Sequence, residues 1–231
     1  MSTVFPAPQA VTVPVAGTDA TFPVRHVYCV GRNYAEHTKE MGGDTKEPPF
    51  FFTKFPDALV PTGASSTAEI AYPLATRSLH HEIELVVAIG DSGVRLAPED
   101  ANKLVYGYAV GIDMTRRDLQ GQMKEKRWPW DIGKSFAQAA PISHIHPVSR
   151  TGLLAKGAIW LDVNGQRRQT GDVSQMIWKI PEIISQLSTL FTLGPGDLIM
   201  TGTPAGVGAV KKGDVLRGGV DGVGELELRV V

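Results

Sequence analysis

Apolar residues fall in short runs along this chain, broken by Gly, Pro, Asn and Asp, and that rhythm predicts many short strands in place of long helices. Strands are expected near residues 11–15, 24–30, 50–53, 69–72, 82–89, 107–113, 158–163, 197–200 and 225–231. Asn164-Gly165 separates two strand-like runs and predicts a tight hairpin, because a type I′ turn needs positive φ at both central residues. Pro181 opens a helix with apolar positions at Ile183, Ile184, Leu187 and Leu190, a stripe suited to packing on a sheet. A second, short helix is predicted after Gly31, with Asn33 as its cap, Glu36 as the capping-box partner and Gly42 or Gly43 as its stop.

The chain has 231 residues, enough for one large domain, expected as 1–231 with a proline-spaced lead over 1–24 and the remainder from residue 25 onward. Its 25 glycines and 16 prolines are scattered, which favours a mainly β (α+β) fold over a low-complexity tract. Lysine and arginine number 23 against 24 acidic residues, a net charge of −1, so nothing favours a nucleic acid or an anionic membrane as partner. Cys29 is the only cysteine, which excludes an intramolecular disulfide. No apolar run approaches the ~18 residues of a membrane span and Met1 to Pro8 lack a basic region followed by an apolar stretch, so the expected location is the cytoplasm.

Glu82 and Glu84 stand two apart at the head of an apolar run, so on a strand they project to one face; Asp113 ends another such run. Three carboxylates suit a hard divalent cation such as Mg²⁺ or Mn²⁺. Spacing alone equally permits a solvated strand face. His37 and Glu40, three apart, share a helix face, where a carboxylate orients an imidazole as a water-activating base or forms an ordinary helical ion pair. A helix this short is marginal alone, which suits a lid that orders on substrate. Lys54 and Lys134 adjoin apolar runs and either neutralise an oxyanion or pair with an acidic neighbour. Thr201-Gly202-Thr203-Pro204-Ala205-Gly206-Val207-Gly208 lacks the P-loop ending and the Rossmann spacing, leaving a tight turn or a carboxylate-binding loop. Cys29 reads as a core residue, and His80, His81, His144 and His146 show no zinc pattern.

The ordered set Val30-Gly31-Arg32-Asn33-Tyr34 with His37 and Glu40, Glu82-Ile83-Glu84, Asp113-Met114-Thr115-Arg116-Arg117-Asp118, Gly133-Lys134, Pro195-Gly196-Asp197 and Thr201-Gly202-Thr203-Pro204 resembles the fumarylacetoacetate hydrolase family from about Val24 onward. The resemblance implies a twisted mixed β-sheet roll with a few peripheral helices, assembled as a homodimer. It implies Mg²⁺ or Mn²⁺ held by Glu82, Glu84 and Asp113, water activated by His37 with Glu40, and negative charge stabilised by Lys134. Arg32, Gln120 and Thr203 are implied substrate contacts, and Lys54 a further one. The implied activity is hydrolysis of the C–C bond of a small 2,4-dioxo acid. Asp113 to Gln120 and Arg127 to Lys134 look most like bacterial members that split fumarylpyruvate into fumarate and pyruvate in gentisate degradation. Alternatives are acylpyruvate hydrolysis, oxaloacetate decarboxylation and, more distantly, a non-catalytic metal- and anion-binding module. Arg116, Arg117 and Arg127 remain open as partners for a far carboxylate.

Overall fold

The structure is a computed structural model that describes residues 3–40, 48–62 and 67–231, the side chains of 38–40 excepted. In chain order the elements that matter here are β1 (His26–Gly31), α1 (Ala35–Glu40), β2 (Phe50–Lys54), β3 (Leu59–Pro61), β4 (Ala68–Ile70), β5 (Leu79–His81), β6 (Ile83–Ile89) and β7 (Val105–Ile112). They continue with α2 (Arg117–Lys126), α3 (Asp131–Lys134), β8 (Ala140–Ile142), β9 (Ala158–Val163), β10 (Gln166–Asp172), α4 (Ile180–Leu190), β11 (Asp197–Met200), β12 (Gly208–Val210), β13 (Val215–Val220) and β14 (Gly224–Val230).

The central sheet runs β2-β1-β11-β6-β7-β8-β3 and is mixed, since β11 pairs β1, and β8 pairs β3, in parallel. A second sheet, β10-β9-β13-β14-β4, packs on one of its faces. A three-stranded sheet of Thr115–Arg116, β5 and β12 closes the end where the strands carry their acidic residues. The fold is thus the expected mostly-β roll, with few helices.

Both faces of β6 are buried, which is why its sequence from Leu85 to Ile89 is a continuous apolar run without polar alternation. Ile83, Leu85, Val87 and Ile89 face the larger core with Ile159, Leu161, Leu216 and Leu228 of the second sheet. Val86 and Ala88 face a smaller core with Val27, Cys29, Leu198 and Met200. The proline-spaced lead contributes to that smaller core: Thr12–Pro14 pairs Thr21–Pro23 and buries Val13, Val15 and Phe22 there. Cys29 is buried, as a core residue should be.

Helix α4 begins one residue before Pro181 and buries Ile180, Ile183, Ile184 and Leu187 against the core, each such side chain contributing about 1.5–3 kcal/mol. Among the described residues no helix is long and apolar enough to cross a membrane. The Asn164-Gly165 hairpin joins β9 and β10, with φ of 52° and 75° at its two central residues. Asn164 also donates to the Asp214 carboxylate at 2.9 Å and accepts from the Val215 amide at 2.9 Å, pinning the turn to β13.

Asn164→Ala should therefore cost about 1–3 kcal/mol through the left-handed backbone and the lost bonds. That corresponds to a thermal midpoint lower by about 2–10 °C in a chain of this size. Turnover should not change, because none of these groups lines the cleft described below. An unmoved midpoint would remove this turn from the determinants of stability.

Candidate active site

Register places the three carboxylates. In the antiparallel pair β6/β7, Ile83 faces Ile112 and Glu84 faces Gly111, while the Asp113 amide donates to the Glu82 carbonyl at 2.8 Å. Residues 82, 84 and 113 therefore share one face of the sheet, where a one-residue slip would have sent them into the core. Their ligand oxygens all lie within 4.8 Å of one another, and all three residues are at most 5 % exposed, which rules out the solvated strand face.

Three like charges so placed need compensation. Lys134 Nζ donates to Glu82 at 2.8 Å, to Asp113 at 2.6 Å and to Thr115 Oγ1 at 2.8 Å. Lys54 Nζ lies 2.7 Å from the other Asp113 oxygen and also donates to the Met114 and Lys134 carbonyls. Arg117 pairs with the second Glu82 oxygen and donates to Gln120 at 3.2 Å. An ammonium has three donors, and those of Lys134 are all taken by protein oxygens.

Burial opposes ionisation of Glu82, but Lys134, Arg117 and His37 outweigh it and hold that carboxyl below its usual range. Burial also works against the charge on Lys134, and Asp113 with Glu82 overcomes it and raises that pKa. Glu84 differs. Burial and the charges of Asp113 and Glu82 push it well above the usual carboxylate range, against the Gly202 amide that donates to it at 2.8 Å. No lysine or arginine among the described residues lies within ion-pair distance of Glu84. An all-oxygen donor set with one under-compensated carboxylate fits a hard divalent cation, which supplies the positive charge Glu84 lacks.

Glu82 and Glu84 line the floor of a cleft, with Asp113 fully buried behind them, and the cleft is lined also by Arg32, His37, Phe52, Arg117, Gln120, Lys124, Trp130, Lys134 and Thr203. His37 comes from α1 and is buried; the side chain of Glu40 lies outside the described residues. Asn33 is not the cap expected of it. Its side chain accepts from the Trp178 amide at 2.8 Å and donates to the Trp178 and Thr201 carbonyls at 3.0 and 2.8 Å, tying the start of α1 to two distant loops. Arg32 holds a left-handed backbone, φ 58°, with its guanidinium 5.7 Å above the Phe50 ring. Strain in a non-glycine residue beside a cleft marks a position held for use.

Lys54, read from sequence as a substrate contact, is fully buried behind Asp113 and outside the cleft lining, ion-paired to that carboxylate and donating to two backbone carbonyls. The Gly-rich loop does bind a carboxylate, and it is the protein's own Glu84. Gly202 has φ +96°, and a Cβ there would stand 2.7 Å from that of Asn33. Gly133 is needed for close approach: a Cβ would lie 2.8–2.9 Å from the backbone and Cβ of Gln120. Its absence lets α3 set Lys134 beside Gln120 of α2.

Sequence reasoning missed Gln169. Fully buried on β10, it accepts at Oε1 from the Ile83 amide at 3.1 Å and bonds His81 Nδ1 at 2.8 Å. Its Nε2 donates to Thr203 Oγ1 at 2.8 Å and the Pro204 carbonyl at 2.9 Å. It thus braces both flanks of Glu82 and the loop bearing Thr203. Nothing local marks it, since Gln166-Arg167-Arg168-Gln169 reads as a polar strand. Arg117, left open earlier, is fixed at Glu82, and Thr115 at Lys134.

A buried three-carboxylate floor under a cleft, with a histidine and cations in its walls, defines a divalent-metal enzyme site. The family model described as the fumarylacetoacetate hydrolase C-terminal region matches residues 26–231. The chain belongs to the fumarylacetoacetate hydrolase family. It is 48 % identical over 184 residues to a fumarylpyruvate hydrolase of Ralstonia sp, covering 80 % of this chain and 93 % of the relative. It is 43 % identical over 206 residues to the mitochondrial oxaloacetate tautomerase FAHD1 of Rattus norvegicus, covering 89 % and 91 %. A crystal structure of fumarylpyruvate hydrolase from Pseudomonas aeruginosa in complex with Mn²⁺ and pyruvate superposes with a TM-score of 0.98 at 53 % identity, covering 100 % of this chain and 99 % of that one.

Because the Glu84 pKa is raised, the metal-free fold holds a proton that the unfolded chain releases at lower pH. Metal-free stability should therefore fall as pH rises above the ordinary carboxylate range, and metal binding should expel that proton. Titrating metal-free protein with Mn²⁺ in buffers of different ionisation enthalpy should show about one proton released per ion. Glu84→Gln should abolish the release and weaken binding about tenfold or more, while leaving the metal-free fold no less stable. Zero release from the unaltered protein would mean that Glu84 is already ionised.

Proposed function

We propose that this protein is a Mg²⁺- or Mn²⁺-dependent hydrolase that cleaves the C–C bond of a 2,4-dioxo acid, converting fumarylpyruvate and water to fumarate and pyruvate. The observation that carries the reading is the clustering of buried Asp113 with Glu82 and Glu84, which line a cleft walled by His37. Identity of 48 % and 53 % to fumarylpyruvate hydrolases supports the substrate.

The ion held by Glu82, Glu84 and Asp113 supplies positive charge to the 2-oxo acid end of the substrate. His37, oriented by Glu40, takes a proton at an imidazole nitrogen from the water that attacks C4. The C3–C4 bond then breaks, its electron pair passing to the pyruvate enolate, and the proton held by His37 returns to C3. Lys134 acts on the developing charge as a fixed field, since its three donors already hold Glu82, Asp113 and Thr115. Arg32, Gln120 and Thr203, all in the lining, position the substrate, and Arg117 holds the outer Glu82 oxygen. Lys54 preorganises Asp113.

A second reading, oxaloacetate chemistry at the same site, draws on the 43 % identity to the tautomerase. The hydrolase reading includes a homodimer, a cytoplasmic location and a place in gentisate degradation. Exposed Phe55 and Ile132, on segments joined by the Phe55 amide to Ser135 Oγ bond of 2.8 Å, offer apolar surface to a second copy. A monomer in analytical ultracentrifugation would withdraw the dimer.

His37→Ala should lower turnover of fumarylpyruvate by ~10²–10⁴-fold while Mn²⁺ affinity by calorimetry stays unchanged. Decarboxylation of oxaloacetate needs no attacking water and should be largely spared. Near-normal hydrolysis by this variant would exclude His37 as the base.

A further inference from the structure

The cleft lining includes Lys124, which none of the roles above uses. One face of α2 presents Arg117, Gln120 and Lys124 to the cleft at helical spacing, three and then four residues apart. Arg117 touches Glu82 and so marks the metal end. At 1.5 Å of rise per residue, Lys124 stands roughly 10 Å further along the helix. Phe52 and Trp130, 5.9 Å apart between ring centroids, line the space as well and suit a flat, conjugated chain.

The other cations near α2 lie outside the cleft lining or at its floor. Arg116 stacks 4.3 Å above Phe136 and donates to the Ile132 carbonyl at 3.3 Å. Lys126 lies 4.6 Å over Trp128, and Arg127 caps α2 in a left-handed conformation outside the lining. Arg117 is engaged by Glu82 and Gln120. Lys124, an exposed residue on the cleft wall, is the α2 cation set at a distance from the floor.

We propose that Lys124 binds the terminal carboxylate of the substrate and so selects dicarboxylic 2,4-dioxo acids with a fumaryl-length arm. The inference rests on the hydrolase reading above. Seven carbons joined by six bonds of about 1.5 Å span roughly 7–8 Å when extended. With one end on the floor, the far carboxylate comes within reach of a lysine side chain one helical ruler-length away. Oxaloacetate, with four carbons, is too short to reach it, and acetylpyruvate has no second carboxylate.

The test compares Mn²⁺-loaded wild type, Lys124→Gln, Lys124→Arg and Arg32→Gln on fumarylpyruvate, acetylpyruvate and oxaloacetate. Lys124→Gln should raise KM for fumarylpyruvate about 5–30-fold, the range for one charge-assisted bond at a partly screened site, with little change in kcat. Both parameters for the other two substrates should stay within about twofold, and Lys124→Arg should restore most of the loss. Inhibition by fumarate should weaken in parallel, and inhibition by pyruvate should not. Equal effects on all substrates, no effect, or a selective loss with Arg32→Gln instead would overturn the assignment. A wild type that hydrolyses neither fumarylpyruvate nor acetylpyruvate would instead overturn the reading on which it rests.

Discussion

Three acidic side chains buried within touching distance impose the condition that the rest of this molecule satisfies. Removed from water, they stand against three cations, Lys134, Lys54 and Arg117, before any ion arrives. The compensation is uneven: Asp113 and Glu82 take the cations, and Glu84 is left with an amide. A divalent ion would correct that imbalance and bring the floor to a net charge of about +2, which matches a 2-oxo acid carrying a carboxylate and an enolate. Removing one cation from such a cluster strands a buried charge, at a cost of about 3–5 kcal/mol. Stability and chemistry thus draw on the same groups.

The sheet supplies the geometry through register, and the loops supply it through side-chain bonds. With Glu84 across from Gly111 and Asp113 bonded to the Glu82 backbone, the floor belongs to the most buried strands in the fold. The cleft walls are different. They include short elements, α1 and α3, whose positions depend on Asn33 and on the close contact at Gly133. A rigid floor under walls held by a few directed bonds suits a site that must keep its ion while admitting substrate.

The fold and the floor were largely legible in the sequence, for identifiable reasons. Period-two spacing at Glu82 and Glu84, and strand ends at Asp113 and Met200, are local signals; so is Asn164-Gly165. What failed to show was set by partners remote in sequence. Asn33 looks like a helix cap because caps are read from neighbours, yet its partners lie 145 and 168 residues away. Lys54 looked like a substrate ligand because a lysine after an apolar strand carries no sign of which carboxylate it meets. Gln169 gave no sign at all, since burial of a polar residue in a polar run follows only from how two sheets stack, and Arg117 was legible only as one of three arginines open to a far carboxylate.

Gln169 fixes more than distance. The Ile83 amide can only donate and the Pro204 carbonyl can only accept, so the orientation of the Gln169 side chain follows without ambiguity, oxygen toward β6 and nitrogen toward the loop. His81, facing the same oxygen, must then carry its proton on Nδ1, whichever solvent or ligand is nearby. One amide therefore sets the direction of every hydrogen bond that crosses between the two sheets at this point. A carboxylate could not give and an ammonium could not receive, so neither could take over this one-way relay.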